Sequence, residues 1–449
     1  MLHQDSRTNS AYIDEALQWL FKGIRFDRKL RKGCTWTFAW LTKTALLWSW
    51  SSETKLTERF ACAQRLTRHL QNEDAKIESS WQAFAEILRR HTQYLRKVFT
   101  ALLRKRMAQA LPDLWRMHGY VVLGVDGSDI AVPLTKSNEE AYSSKKTARD
   151  RRKKKGDKGA DKRSAGPQIL LTTLFVVRLY LPWNWEIGGR GDSERGQLRL
   201  MLNDLPEDCL IAADAGFVGY ELAAEILASG SQIIMRVGSN IRLLKKLGYA
   251  RESNNIVYLW PDKIARKKLP PLAFRLIVIQ EAKHPVYLIT SVLDSKRLSD
   301  RAVIEIYSAR WTIEVYHRHL KQTFRRSKLL SHSSDNARIE LEWSLLAMWA
   351  MSLYASVELN AHDIPLERMS FAGVLDAFRE MARDYLHPTD RRRTLRILLR
   401  NAQIDTFQRK NKSSRNYPRK KKHKTPGPPK IQKATAKQSK QAKQLKELP

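Results

Sequence analysis

The stretch whose reading decides the fold is Tyr307–Lys321, YSARWTIEVYHRHLK. It holds neither glycine nor proline, and the sequence predicts one helix through it. Tyr307, Arg310, Glu314 and Lys321 lie at offsets 0, 3, 7 and 14 along it. At ~100° per residue these four fall within about 60° of one another on a helix, and Arg318 joins the same stripe. One carboxylate in a row of phenol, guanidinium and ammonium groups makes a poor salt-bridge ladder. It makes sense if the carboxylate holds a metal ion and its neighbours hold a phosphodiester.

Working outward, the chain of 449 residues is long enough for two to four domains. Lys and Arg number 81 against 46 Asp and Glu, a net charge of +35, so the expected partner is a polyanion, with nucleic acid first. Cys34, Cys62 and Cys209 lie far apart with no C-x-x-C, which excludes a zinc knuckle and gives no support to a disulfide framework. No apolar leader opens the chain. The longest apolar run, Trp343–Leu359, reads as a buried core helix rather than a membrane span. A cytoplasmic protein with no membrane partner is the expectation.

Before Pro112 only Gly23 and Gly33 interrupt the chain. Residues 1–115 are therefore expected to form a helical, DNA-binding domain, with helices near Tyr12–Arg31, Thr37–Ser49, Leu56–Gln71 and Glu78–Ala110. From Tyr120 the pattern turns to strands. VVLGVDGSDIAV leads into a Gly/Ser/Asp turn, Gln168–Leu181 is a long strand, and Trp183–Gly189 follows a turn at Pro182. Asp192 or Ser193 caps a helix, Cys209–Phe217 is a buried strand ending in Asp-Ala-Gly, and Gln232–Gly238 is another strand. This gives an α/β core with a mixed sheet over 116–238 and 300–358. Residues 239–299 read as a β-rich insertion of three alternating strands, and 359–400 as a C-terminal helical region. The basic loop Lys145–Arg163 and the tail 401–449 are predicted to be disordered. The first carries 11 basic and 3 acidic residues, the second 15 and 2.

Three acids can be assembled into one site: Asp126 on the first strand, Asp214 at the end of CLIAADAGF, and Glu314 on the helix. Asp129 competes with Asp126 within DGSD; Asp126 is preferred because it abuts the apolar strand. Carboxylates favour hard cations such as Mg²⁺ or Mn²⁺, and two such ions suit phosphodiester displacement.

With these residues the chain resembles the IS4-type DDE transposases of bacterial insertion sequences. Tyr307, Arg310, Glu314 and Lys321 match that family's Tyr-x2-Arg-x3-Glu-x6-Lys pattern, VDGSDI and AADAGF look like its two Asp strands, and SERGQL lies in its following-helix position. The resemblance implies an RNase H-like catalytic core in which Asp126, Asp214 and Glu314 are the catalytic, metal-binding triad. It implies that Tyr307, Arg310 and Lys321 hold DNA phosphates, and Arg318, on the same helical stripe, is expected to join them. The implied activity is metal-dependent cleavage at terminal inverted repeats and transfer of the freed 3′-OH to target DNA, by a homodimer in a synaptic complex on double-stranded DNA. A catalytically silent DNA-binding relative and an RNase H-like nuclease are the competing readings.

Overall fold

The computed structural model describes residues 7–71, 78–143, 166–189, 191–250, 255–280, 285–404 and 427–446. The basic loop Lys145–Arg163 lies outside these residues. The chain opens with four helices: α1 (Asn9–Phe21), α2 (Phe38–Trp50), α3 (Leu56–Leu70) and α4 (Trp81–Ala110). Three match the sequence reading within a few residues. The first stops ten residues early, because Gly23 takes a left-handed φ of 81° that ends the helix and turns the chain. Thr37 and Ser80 cap α2 and α4 by accepting from the backbone N–H three residues on.

Next come β1 (Val121–Ala131), α5 (Lys136–Tyr142), β2 (Gln168–Val176), β3 (Leu181–Gly188), α6 (Glu194–Met201) and β4 (Cys209–Ala213). They are followed by α7 (Tyr220–Ala228), β5 (Gln232–Val237), β6 (Arg242–Lys245), β7 (Ile256–Leu259), α8 (Asp262–Arg266), β8 (Leu272–Ile279) and β9 (Val286–Thr290). The chain closes with α9 (Asp300–Ala309), α10 (Thr312–Arg318), α11 (Ser334–Asn360), α12 (Phe371–Arg383), α13 (Leu395–Asn401), β10 (Lys430–Lys433) and α14 (Ala436–Lys446).

All ten strands among the described residues join one mixed sheet, in the order β10-β6-β7-β8-β9-β5-β4-β1-β2-β3. β1, β4 and β5 run parallel, while β2 pairs antiparallel with β1 and β3 antiparallel with β2. The protein is thus a mixed α/β structure. The three strands foreseen in 239–299 are β7, β8 and β9, and they continue the sheet through an antiparallel β9–β5 pair.

Three local expectations are corrected. The DGSD segment is not a turn: Asp126, Gly127, Ser128 and Asp129 stay in register opposite Thr173, Thr172, Leu171 and Leu170. A long partner strand overrides the turn preference of Gly and Asp. The β2–β3 turn falls at 177–180, where Tyr180 has φ 57°, and not at Pro182. Pro182 sits inside β3, which it can do because β3 is an edge strand. The tail is not disordered throughout: Lys430–Lys433 add to β6 as a parallel strand and Ala436–Lys446 form a helix.

The core centres on α11, most of whose residues are buried, as the apolar run foretold. α2 and α4 lie along it. Trp50 Nε1 donates to the carbonyl of Ala347 at 3.0 Å, and Trp343 Nε1 to Thr92 Oγ1 at 3.0 Å. α11 also buries Glu340, Glu342 and Glu358, and each meets arginines from other segments: Arg59 and Arg326, Arg96, and Arg396 and Arg400 respectively. Buried carboxylates need such partners, so these pairs fix how the surrounding elements dock on α11.

Candidate functional site

Asp126 and Asp214 come together because β1 and β4 are neighbours. The parallel register pairs Gly124 with Ala212, which sets the two acids level at the carboxyl end of the sheet's parallel part. Asp126 lies within β1. Asp214 lies just past β4, where its Oδ1 accepts from the Gly216 N–H at 2.8 Å. Alternation along β1 puts Asp126 and Asp129 on opposite faces. The Asp126 face carries Gly124, whose missing side chain lets the next element come close: a Cβ there would stand 3.6 Å from Arg310 Cγ and 3.9 Å from Arg310 Cα. Asp129 instead lines a pocket of about 380 Å³ with Asp192, Glu194 and Arg195.

The expected single helix over Tyr307–Lys321 is three pieces. α9 ends at Ala309, α10 starts at Thr312, and His319–Thr323 form a π turn. At the joint, Arg310, Trp311, Ile313 and Glu314 each donate to the carbonyl three residues back, a tightened step. The uniform helical wheel is therefore wrong in detail. Tyr307, Arg310 and Glu314 still meet: Arg310 Nη2 stands 3.1 Å from Glu314 Oε1, and its Cζ lies 5.6 Å from the Tyr307 ring centroid. Arg318, at the end of α10, is exposed; Lys321, in the π turn, is half-buried.

The charges link the helix to the strands. Arg310 feels Asp126 as well as Glu314, and the Tyr307 phenol feels Asp214. Burial raises the Tyr307 phenol above its ordinary range, so it keeps its proton near neutral pH. The Glu314 carboxylate pairs with Arg310. Among the described residues no three His, Cys, Asp or Glu side chains converge as a ready metal-ligand set.

Two residues at the site were not singled out from the sequence. Glu194, in the first turn of α6, lies over the backbone of Gly127, and any Cβ at position 127 would overlap it. Burial, then the charges of Asp126, Asp214 and Asp129, raises its carboxyl above the usual range. Its signal was the SERGQL segment, used only to place a helix. The buried His317 imidazole has Nδ1 3.7 Å from Asp126 Oδ2 and Nε2 3.2 Å from Thr173 Oγ1. It sits three residues after Glu314, one helical turn along the same segment.

Two aspartates thus lie level on adjacent parallel strands, overlaid by a basic helical joint that carries a glutamate. The chain belongs to the family described as Transposase DDE domain, whose profile matches residues 117–350. The resemblance to IS4-type DDE transposases drawn from the motifs is borne out by this match and by a curated relative. The chain is 24% identical over 253 residues to the transposase InsG for insertion sequence element IS4 of Escherichia coli (strain K12). That match covers 54% of each protein, so the chain spans about half the length of this relative. A solved structure similar to 88% of this chain, over 83% of its own, is that of the piggyBac transposase synaptic complex with hairpin DNA; the identity is 13% and the TM-score 0.40. No described helix is long and apolar enough to cross a membrane.

Proposed function

We propose that the protein is a cut-and-paste DNA transposase. It binds the terminal inverted repeats of its element, cleaves phosphodiester bonds at the ends and transfers the 3′-OH ends to target DNA. The observation that carries this reading is the packing of the Tyr307–Arg310–Glu314 joint over Gly124, which brings a basic, glutamate-bearing element to the carboxyl end of the parallel strands, where Asp126 and Asp214 are level. The strand arrangement, antiparallel β3-β2-β1 continued by parallel β4 and β5, supports an RNase H-like core.

Asp126, Asp214 and Glu314 offer only hard oxygen donors, which suit a divalent cation. They would hold two Mg²⁺ or Mn²⁺ ions, with Glu314 released from Arg310. Bound there, such ions lower the pKa of an attacking hydroxyl and neutralise charge on the leaving oxygen. Arg310, freed from Glu314, and Arg318 and Lys321 bind the phosphates of the reacting end. Tyr307, held protonated, donates to a phosphate oxygen and does not act as a nucleophile. The exposed Arg90, Lys97 and Lys105 on α4 supply a further basic face for the helical N-terminal part. Holding two ends together calls for at least two copies of the chain.

Substituting Asp126, Asp214 or Glu314 by Ala abolishes metal-dependent end cleavage and leaves DNA binding largely intact. Cleavage that survives Glu314→Ala overturns the triad. Binding without any cleavage by the unaltered protein identifies a silent relative, and cleavage without joined product identifies a nuclease.

A further inference from the structure

We propose that β10 and α14 form a docked, lysine-rich surface that contacts the phosphates of duplex DNA at the far edge of the sheet; this rests on the transposase reading above. Composition alone makes this segment a solvated tail. Three features hold it in place. β10 pairs with β6 from Lys430↔Arg242 to Lys433↔Lys245. Thr435 and Gln438 form a reciprocal capping box: Thr435 Oγ1 accepts from the Gln438 N–H at 3.2 Å, and Gln438 Oε1 accepts from the Thr435 N–H at 2.9 Å. On α14, Ala442 is fully buried, Leu445 packs against the core, and Gln441 Nε2 donates to the Ala265 carbonyl at 2.7 Å.

Docking sorts the charges. Gln438, Gln441, Ala442 and Leu445 share the inward side of α14, so Lys437, Lys440, Lys443 and Lys446 are left exposed on the outward side. Residues 430–446 contain six lysines and no acid. Among the described residues none of these lysines has an ion-pair partner, whereas most buried arginines of the core do. Lys245 and Lys246 on the neighbouring β6 edge are exposed beside them.

The test is binding of mixed-sequence duplex DNA by the full chain, without divalent cations, over a range of salt. Replacing Lys437, Lys440, Lys443 and Lys446 together by Gln keeps the capping box and the buried contacts; unchanged protease protection of α14 checks this. The variant is expected to bind more weakly, its salt slope falling by about 2 or more, since each phosphate contact contributes ~0.9. An unchanged slope overturns the proposal. Ala442→Asp undocks α14 while keeping every lysine. Binding as weak as that of the lysine variant supports a docked surface, and wild-type binding overturns it. End cleavage by the unaltered protein is scored separately: its absence defeats the transposase reading, whereas normal cleavage with unchanged variant binding defeats only this proposal.

Discussion

The Glu194 carboxylate lies directly on the backbone of Gly127, in space that any side chain at position 127 would need. This contact sets α6 against β1 beside the two aspartates. Gly127→Ala must push the whole Glu194 side chain aside, and overpacking of this kind costs about 1–3 kcal/mol. Removing the obstruction with Glu194→Ala restores most of that loss, so the urea midpoints of the two single variants and the double variant are non-additive. The expected coupling is about 1 kcal/mol or more. Strictly additive midpoints would show that the two positions do not meet.

Arg310 is the cation nearest Glu314, and its stem lies over Gly124. Arg310→Ala should weaken binding of a cleaved end and lower the slope of log affinity against log salt by about 0.9, the share of one phosphate contact. A variant that binds weakly with an unaltered slope would point to a structural role instead.

Glu342 is buried on α11, accepts from Trp185 Nε1 at 2.7 Å and stands 3.2 Å from Arg96 Nη1. Arg96 also donates to Asn184 Oδ1 and to the Trp185 carbonyl, so this cluster joins α4, α11 and β3. Glu342→Ala removes the acceptor of Trp185 Nε1 and the nearer of the two carboxylates paired with Arg96, the other being Glu186 at 3.9 Å; losing one member of a buried pair costs up to about 3–5 kcal/mol. Glu342→Gln retains an acceptor for Trp185 and should cost less. Chemical denaturation of the two variants checks the order.

The phenols of Tyr142, Tyr180 and Tyr354 are pushed up to about 12, in each case chiefly by burial. Between pH ~10 and 12 the unfolded chain has lost these protons while the folded chain retains them. The folded state then binds more protons, so stability falls as pH rises through this window. Denaturation midpoints should decline steadily above pH ~10, and these phenolate signals should appear only near or after unfolding. Ordinary titration of all three in the intact fold would contradict their burial.

Much of the architecture was legible because local pattern and tertiary context agree. The helices before Pro112, the buried α11 and the strands around Asp126 and Asp214 follow from apolar periodicity. Legibility failed where long-range pairing overruled local preference. β2 draws Asp126–Asp129 into the sheet although Gly, Ser and Asp favour a turn. β6 and a buried Ala442 order a lysine-rich tail that composition sends to solvent.

The same division holds for the candidate site. The spacing of Tyr307, Arg310, Glu314 and Lys321 was written in the sequence, because covalent spacing along a helical segment sets which side chains can be neighbours. Only the tertiary structure decided the rest. It divided that helix at Arg310, set Asp126 and Asp129 on opposite faces of β1, and brought Glu194 and His317 to the aspartates. Those relationships depend on strand register and on close approach at Gly124 and Gly127, which arise only when distant segments pair and pack.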